Sequence, residues 1–241
     1  MKLFIITGAS KGLGASLLTQ VTEDKHTAIS ISRTKGLSHP HHFHIRHDLS
    51  KTKTLSRKLD KVLSQLNLKK ITEIILINNA ALIGPIGDVE NFEITEMETH
   101  LKVNLLTPMV LSGYIMARFN KTKCPITIVN ITSGAAFHPI INWSQYCSSK
   151  SGLKMFTECL NLDYSKRKNF KAISFSPGVM DTHMQATIRN QSKKNFKNID
   201  RFKQLKQKKE LLSSDMVAER LYSLIKVQKN LKETHYDIRD L

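Results

Sequence analysis

Short runs of consecutive apolar residues alternate along this chain with longer stretches in which apolar positions recur every three or four residues. The runs Leu3–Thr7, Thr27–Ser32, His42–Ile45, Ile74–Asn78, Ile126–Ile131 and Ala172–Ser176 predict strands, and a last one is expected around Thr234–Ile238. The first, fourth and fifth are almost unbroken apolar segments, as parallel strands covered on both faces require. Helical spacing predicts helices over Leu13–Val21, Leu55–Leu66, roughly Ile94–Phe119, Gln145–Tyr164 and Met216–Val227. The alternation implies an α/β fold, a doubly wound parallel sheet of about seven strands with helices on both faces. No repeat, Pro- or Gly-rich linker or low-complexity tract divides residues 1–241, so a single domain is expected. The stretch 182–214 breaks the pattern, being polar, basic and weakly periodic. An interruption of that length is read as a lid.

Composition narrows the setting. No apolar run nears the roughly 20 residues needed to span a bilayer. The N-terminal run Leu3–Ile6 is too short for a signal-peptide core of about 7 residues or more. Cys124, Cys147 and Cys159 are odd in number and lack metal-ligand spacing, so they read as reduced thiols in a cytoplasmic protein. The net charge of +17 is spread along the chain and thickens between Lys193 and Lys209. Without interleaved aromatics it reads as a lysine-rich surface that favours a phosphorylated small molecule, with neither nucleic acid nor membrane expected as a partner. His39, His41, His42, His44 and His47 crowd around the third strand, but no acidic or cysteine cluster accompanies them and no metal is expected.

The first strand runs straight into Ile6-Thr7-Gly8-Ala9-Ser10-Lys11-Gly12-Leu13-Gly14 and then a helix. Glycines at 8, 12 and 14 permit a tight turn and let the backbone approach a pyrophosphate that faces the helix amides, as in a Rossmann fold. NAD-binding folds usually place an acid at the end of the second strand to hold the ribose 2′-hydroxyl. Here the segment is Ser30-Ile31-Ser32-Arg33-Thr34, with no acid. The guanidinium of Arg33, with Lys11 nearby, suits a 2′-phosphate, so the expected cofactor is NADPH/NADP+.

Tyr146 and Lys150 stand one helical turn apart on a shared face. An ammonium beside a phenol favours phenolate, which predicts a tyrosine tuned for proton transfer to an alkoxide. Ser133 follows the strand Ile126–Ile131 and reaches a substrate oxygen from the carboxyl edge of the sheet. Phe137, Trp143, Met180 and Met184 flank these motifs and are candidates, with Ser133 and Tyr146, for the substrate pocket. Cys147, about 100° round the helix from Tyr146, is expected to pack rather than react.

Further motifs fall in order behind the glycine loop: Asp48-Leu49, Asn78-Asn79-Ala80-Ala81, Asn104, Ser133, Tyr146, Lys150 and Pro177-Gly178-Val179-Met180-Asp181-Thr182. Together they resemble the short-chain dehydrogenase/reductase family over nearly the whole chain, and the longer strings around Gly8, Ser133 and Pro177 resemble its sepiapterin-reductase-like branch. The resemblance implies a catalytic set of Asn104, Ser133, Tyr146 and Lys150. Tyr146 would be the acid/base, Ser133 the carbonyl polariser, Lys150 a partner of both Tyr146 and the nicotinamide ribose, and Asn104 the anchor of a water. It further implies adenine contacts from Asp48 and Leu49, support of the adenine ribose by Asn79, and nicotinamide and phosphate contacts from Pro177, Gly178, Val179 and Thr182. Ala81 departs from the usual glycine and puts local packing in question. The implied activity is NADPH-dependent reduction of one carbonyl of a small-molecule α-diketone to a hydroxyketone, in a homodimer paired through the long helices. A pterin or 3-oxoacyl-thioester reductase is the enzymatic alternative, with Asp181 available to a pterin. An NADP-binding regulator with nucleic-acid affinity is the other, and the intact Asn-Ser-Tyr-Lys set argues against it.

Overall fold

The computed structural model describes all residues from Met1 to Leu241. Seven strands form one parallel sheet: β1 (Leu3–Thr7), β2 (Thr27–Ser32), β3 (His42–Arg46), β4 (Ile74–Asn78), β5 (Ile126–Ile131), β6 (Phe170–Ser176) and β7 (His235–Asp237). Their spatial order is β3-β2-β1-β4-β5-β6-β7, so the winding reverses between β1 and β4. The helices are α1 (Gly12–Glu23), α2 (Leu55–Leu63), α3 (Ile94–Leu101), α4 (Thr107–Arg118), α5 (Ser144–Asp163), α6 (His183–Arg189), α7 (Ile199–Gln207) and α8 (Ser214–Ile225). None is long and apolar enough to cross a membrane.

The two-residue period of each strand sorts its side chains between two apolar layers. Leu3 and Ile5, Ile29 and Ile31, Ile74 and Leu76, and Ile126 and Ile128 meet Leu55, Leu59 and Leu63 of α2, Leu111 and Ile115 of α4 and Leu160 of α5. Phe4 and Ile6, Ile75 and Ile77, Val129, Ile173 and Phe175 meet Leu13, Leu17, Leu18 and Val21 of α1 and Val217, Leu221 and Ile225 of α8. Strands read as unbroken apolar runs are therefore two alternating sets, each covered by its own helices.

The expected single helix over Ile94–Phe119 is interrupted. Lys102–Leu106 forms a wider π turn between α3 and α4. Pro108 stands at the start of α4 and accounts for it: its ring has no N–H to give and clashes with the carbonyl four residues back, which is that of Asn104. The widened turn therefore centres on Asn104. The segment 182–214, read as weakly periodic, contains α6 and α7. The Ser213 hydroxyl caps α8 by accepting from the Met216 N–H at 3.1 Å.

The histidines near β3 are absorbed into the fold. Ser30 Oγ lies 2.7 Å from His42 Nε2 and 3.0 Å from His44 Nδ1, and His47 Nε2 lies 2.9 Å from the Lys51 carbonyl. Burial lowers the pKa of His26, His42, His44, His47, His100 and His235 below the ordinary 6.5. The unfolded chain therefore takes up protons before the fold does, and the stability held by these neutral rings is complete above about pH 6.5 and lost as pH falls below it. A melting temperature measured across pH should drop steadily from pH 6.5 downward. A flat profile between about pH 7.5 and 5 would contradict that assignment.

Candidate active site

The carboxyl ends of β1 and β4 meet at the reversal of winding, where open α/β sheets bind ligands. Thr7 Oγ1 accepts the backbone N–H groups of Asn79 and Ala80, both at 3.0 Å. Asn79 Nδ2 returns the tie by donating to the Thr7 carbonyl at 2.9 Å and the Gly8 carbonyl at 3.2 Å. Nothing larger than glycine fits this junction. A Cβ on Gly14 would lie 2.5 Å from both Asn79 Nδ2 and the Gly8 carbonyl oxygen, and one on Gly8, whose φ is +67°, would lie 2.9 Å from Ala80 Cα. Asn79 thus supports the glycine loop directly.

No side chain caps the amides at the start of α1. Uncapped amides behind a glycine turn fit a pyrophosphate, whose charge the helix end favours. Thr182 closes over this loop, its Cγ2 lying 3.4 Å from where a Cβ on Gly12 would be. Ile6 and Leu13 point into the core, so only their backbone can face a ligand, while Ser10 is half-buried and Lys11 exposed. Arg33 stands exposed just past β2. Asp48 is turned by the Ser50 N–H (3.0 Å) and hydroxyl (2.9 Å), which hold its carboxyl below the usual range, with a smaller contribution from Arg33. Leu49 is buried beside it, and its carbonyl accepts from Thr107 Oγ1 at 2.5 Å. These residues fit a dinucleotide laid across the switch point. Pro177 is buried at the end of β6, and the turn after it uses Gly178 at φ +70° before Val179 and Thr182.

Tyr146 and Lys150 emerge from the first turns of α5 and are 6% and 2% exposed. Lys150 Nζ donates to the Ile131 carbonyl at 2.8 Å and sits 5.7 Å from the centre of the Tyr146 ring. Burial pushes Tyr146 up to about 12, while the neighbouring Ser133 hydroxyl pulls it the other way. Burial likewise draws Lys150 down to about 8. The spacing alone suggests a phenol already lowered by its lysine. In the protein by itself desolvation prevails, and Tyr146 holds its proton firmly. Ser133 Oγ accepts from the Ala135 N–H at 3.2 Å, which orients the hydroxyl.

Asn104 is fully buried in the π turn. Its Oδ1 accepts from the Leu82 N–H and its Nδ2 donates to the Leu82 carbonyl, both at 2.8 Å. The spacing did not reveal His100, which lies one turn earlier, 3.0 Å from Asn104 Nδ2, with its ring edge-on to Tyr146 at 6.2 Å. Its i, i+4 relation to Asn104 was the available signal.

Of the apolar pocket candidates, the structure gathers Trp143 and Met184 around Tyr146. The Trp143 ring lies 5.5 Å from that of Tyr146, stacks on Phe196 at 5.2 Å and meets Phe202 at 5.4 Å. Phe196 and Phe202 were missed; they are the aromatic residues of an otherwise basic segment. Met180 instead joins the layer under α1 and α8. Phe137 is 42% exposed and packs on His235 at 4.5 Å beneath Lys154, away from the cluster. Asp181 anchors the covering segment through Lys206 at 2.5 Å and Arg189 at 3.9 Å.

Comparison with known proteins places the chain among relatives of the same fold. The short chain dehydrogenase family matches residues 2–193. The benzil reductase ((S)-benzoin forming) of Bacillus subtilis strain 168 is 41% identical over 243 residues, covering 100% of this chain and 99% of its own. The sepiapterin reductase of Bos taurus is 28% identical over 178 residues, covering 70% of this chain and 63% of its own. The crystal structure of the KRED1-Pglu enzyme superposes with a TM-score of 0.81 at 24% identity, over 98% of this chain and 100% of that one. The chain belongs to the short-chain dehydrogenase/reductase family and is an oxidoreductase acting on CH–OH and C=O groups.

Proposed function

We propose that this short-chain dehydrogenase/reductase is an NADPH-dependent reductase of α-diketones that converts one carbonyl of a compound such as benzil to the hydroxyketone. The observation that carries the reading is the buried Tyr146, backed by Lys150 and Ser133 and roofed by Trp143, Phe196 and Phe202. The full-length resemblance to a benzil reductase supports the substrate class.

In this reading the pyrophosphate rests on the amides opened by Gly8, Gly12 and Gly14. The adenine end lies along Asp48 and Leu49, and Arg33 takes the 2′-phosphate. When bound, the reduced nicotinamide supplies the hydride. Ser133 donates to the substrate carbonyl oxygen and fixes it beside Tyr146. The Tyr146 phenol, protonated throughout the neutral range, gives that oxygen its proton as negative charge develops there. Lys150, held by the Ile131 carbonyl, keeps a positive charge 5.7 Å from the centre of the Tyr146 ring and eases recharging of the phenol. Asn104 holds the backbone at Leu82 and anchors water for proton return. The aromatic roof excludes bulk water and presents flat apolar surfaces to an aryl ketone.

The same reading makes 182–214 a lid and the protein a cytoplasmic homodimer. Leu101 beside the π turn, and Met155 and Leu162 on α5, leave apolar surface exposed on the long helices where a second copy would pack. It assigns no nucleic-acid or membrane partner to the positive charge, which favours approach of a polyanionic cofactor.

Oxidation of NADPH should depend on benzil or another 1,2-diketone, and Tyr146→Phe should lower kcat by about 10²–10⁴-fold with the fold intact. Wild-type protein that turns over no diketone would refute the substrate class. Arg33→Asp should remove the preference for NADPH over NADH, read as the ratio of kcat/KM values, and an unchanged ratio would defeat the cofactor assignment. Light scattering should give twice the chain mass, while hydrogen exchange across 182–214 should slow when NADPH and a substrate analogue bind. A monomer, or unchanged exchange, would remove the dimer or the lid respectively.

A further inference from the structure

We infer that His100 is a positioning residue which, neutral and with its proton on Nδ1, locks Asn104 and the segment after β4 against α5. The inference builds on the carbonyl-reductase reading of the Tyr146 site.

His100 is fully buried near the end of α3. Its Nδ1 lies 2.5 Å from the Gly84 carbonyl oxygen. A carbonyl only accepts, so Nδ1 carries a proton. Its Nε2 lies 3.0 Å from Asn104 Nδ2 and 3.0 Å from Ser149 Oγ. Asn104 cannot turn its amide over without losing both bonds to Leu82, so the group it presents to His100 is an N–H. Nε2 must then be the bare acceptor. With Nε2 bare, the Ser149 hydroxyl must supply the hydrogen of their 3.0 Å contact, and its Oγ also lies 2.9 Å from the Tyr146 carbonyl, the alternative acceptor, and 3.3 Å from Asn104 Nδ2. One ring therefore joins three pieces of chain: the Leu82–Gly84 segment, the π turn, and the turn of α5 that carries Tyr146.

A second proton on His100 would set Nε2–H against the Asn104 N–H, and only Ser149 Oγ could accept it, by turning its own hydroxyl to the Tyr146 carbonyl and at the cost of the Asn104 contact. The titratable groups facing the ring are Tyr146 and Lys150 of α5, and neither compensates a positive charge. Burial and, to a lesser degree, the Lys150 charge disfavour the imidazolium, while the Gly84 bond favours it. Among the acids of α3, Glu96 and Glu98 lie on the surface, Glu98 paired with Lys102 at 2.7 Å. Acidification must therefore break the arrangement instead of being absorbed by it. Asn104 and Tyr146 lose their placement, so turnover falls while the glycine-loop cofactor site, which His100 does not touch, is spared.

Nitrogen NMR of the imidazole in wild-type protein, together with kcat and KM across pH, tests this. Expected are the Nδ1–H tautomer, titration only below about pH 6.5, and an acid limb in kcat over the same range. His100→Phe keeps the ring's bulk but none of its hydrogen bonds. It should lose about tenfold or more in kcat, with the KM for NADPH within about twofold of wild type. His100→Gln restores an acceptor towards Asn104 but cannot titrate, so it should recover part of kcat and flatten the acid limb. An Nε2–H tautomer, titration at the ordinary value, or an acid limb unchanged in the glutamine variant would overturn the inference. So would a phenylalanine variant with wild-type kcat. Should that variant fail to fold, the tautomer and the glutamine profile decide. The tautomer is read without turnover, so inactivity of the wild type towards every carbonyl counts against the proposed function and leaves the placement of His100 to the NMR result.

Discussion

The junction of β1 with β4 is the constraint on which the rest of the molecule depends. There the sheet reverses its winding, and Thr7, Gly8 and Gly14 are drawn against Asn79 so closely that a single added carbon would collide. The contact has two effects. It joins the β3-β2-β1 half of the sheet to the β4-to-β7 half, and it exposes the first amides of α1 at the mouth between them. Asn79 is the clasp, because its side chain donates to the Thr7 carbonyl at the end of β1 and to the Gly8 carbonyl of the glycine turn. A loop able to admit a pyrophosphate is thus a by-product of how tightly the two halves are sewn together.

Tyr146 and Lys150 are governed by a second effect, desolvation. Tyr146 is buried with Trp143, Phe196 and Phe202, Lys150 is buried against the end of β5, and burial moves the two in opposite directions, towards their neutral forms. The site by itself is therefore a reservoir of one phenolic proton, with a lysine still largely charged near neutral pH. That state suits reduction, in which the tyrosine must give a proton away. The aromatic roof of Trp143, Phe196 and Phe202 maintains the low polarity responsible for it, and the ion pairs on Asp181 tether the roof to the strand end that carries the Pro177-Gly178 turn.

The helix over 94–118 shows how local chemistry and site are coupled. Pro108 cannot continue a regular helix behind it, the turn widens, and the widened turn is where Asn104 reaches back to the Leu82 backbone. His100 then fills the space behind Asn104. Asn104, which the sequence singled out, and His100, which it did not, thus brace the Leu82–Gly84 segment behind Tyr146 together.

All seven strands, the helices beside the glycine loop and Tyr146, and the order of the motifs were legible in the sequence, because each is set by local periodicity or by residues close together in the chain. The family followed from the same residues. Positions that depend on contacts between distant segments were not legible. Phe137 and Met180 look like neighbours of the site, yet one packs on β7 and the other joins the layer beneath α1 and α8. Phe196 and Phe202, about fifty residues from Tyr146, fold over it. The tyrosine's proton affinity followed the same rule: spacing supplied the charge beside the phenol, but only the packed structure supplied the burial that outweighs it. Periodicity fixes which face of an element is apolar, whereas tertiary packing decides which apolar face meets which and how much water is left between them.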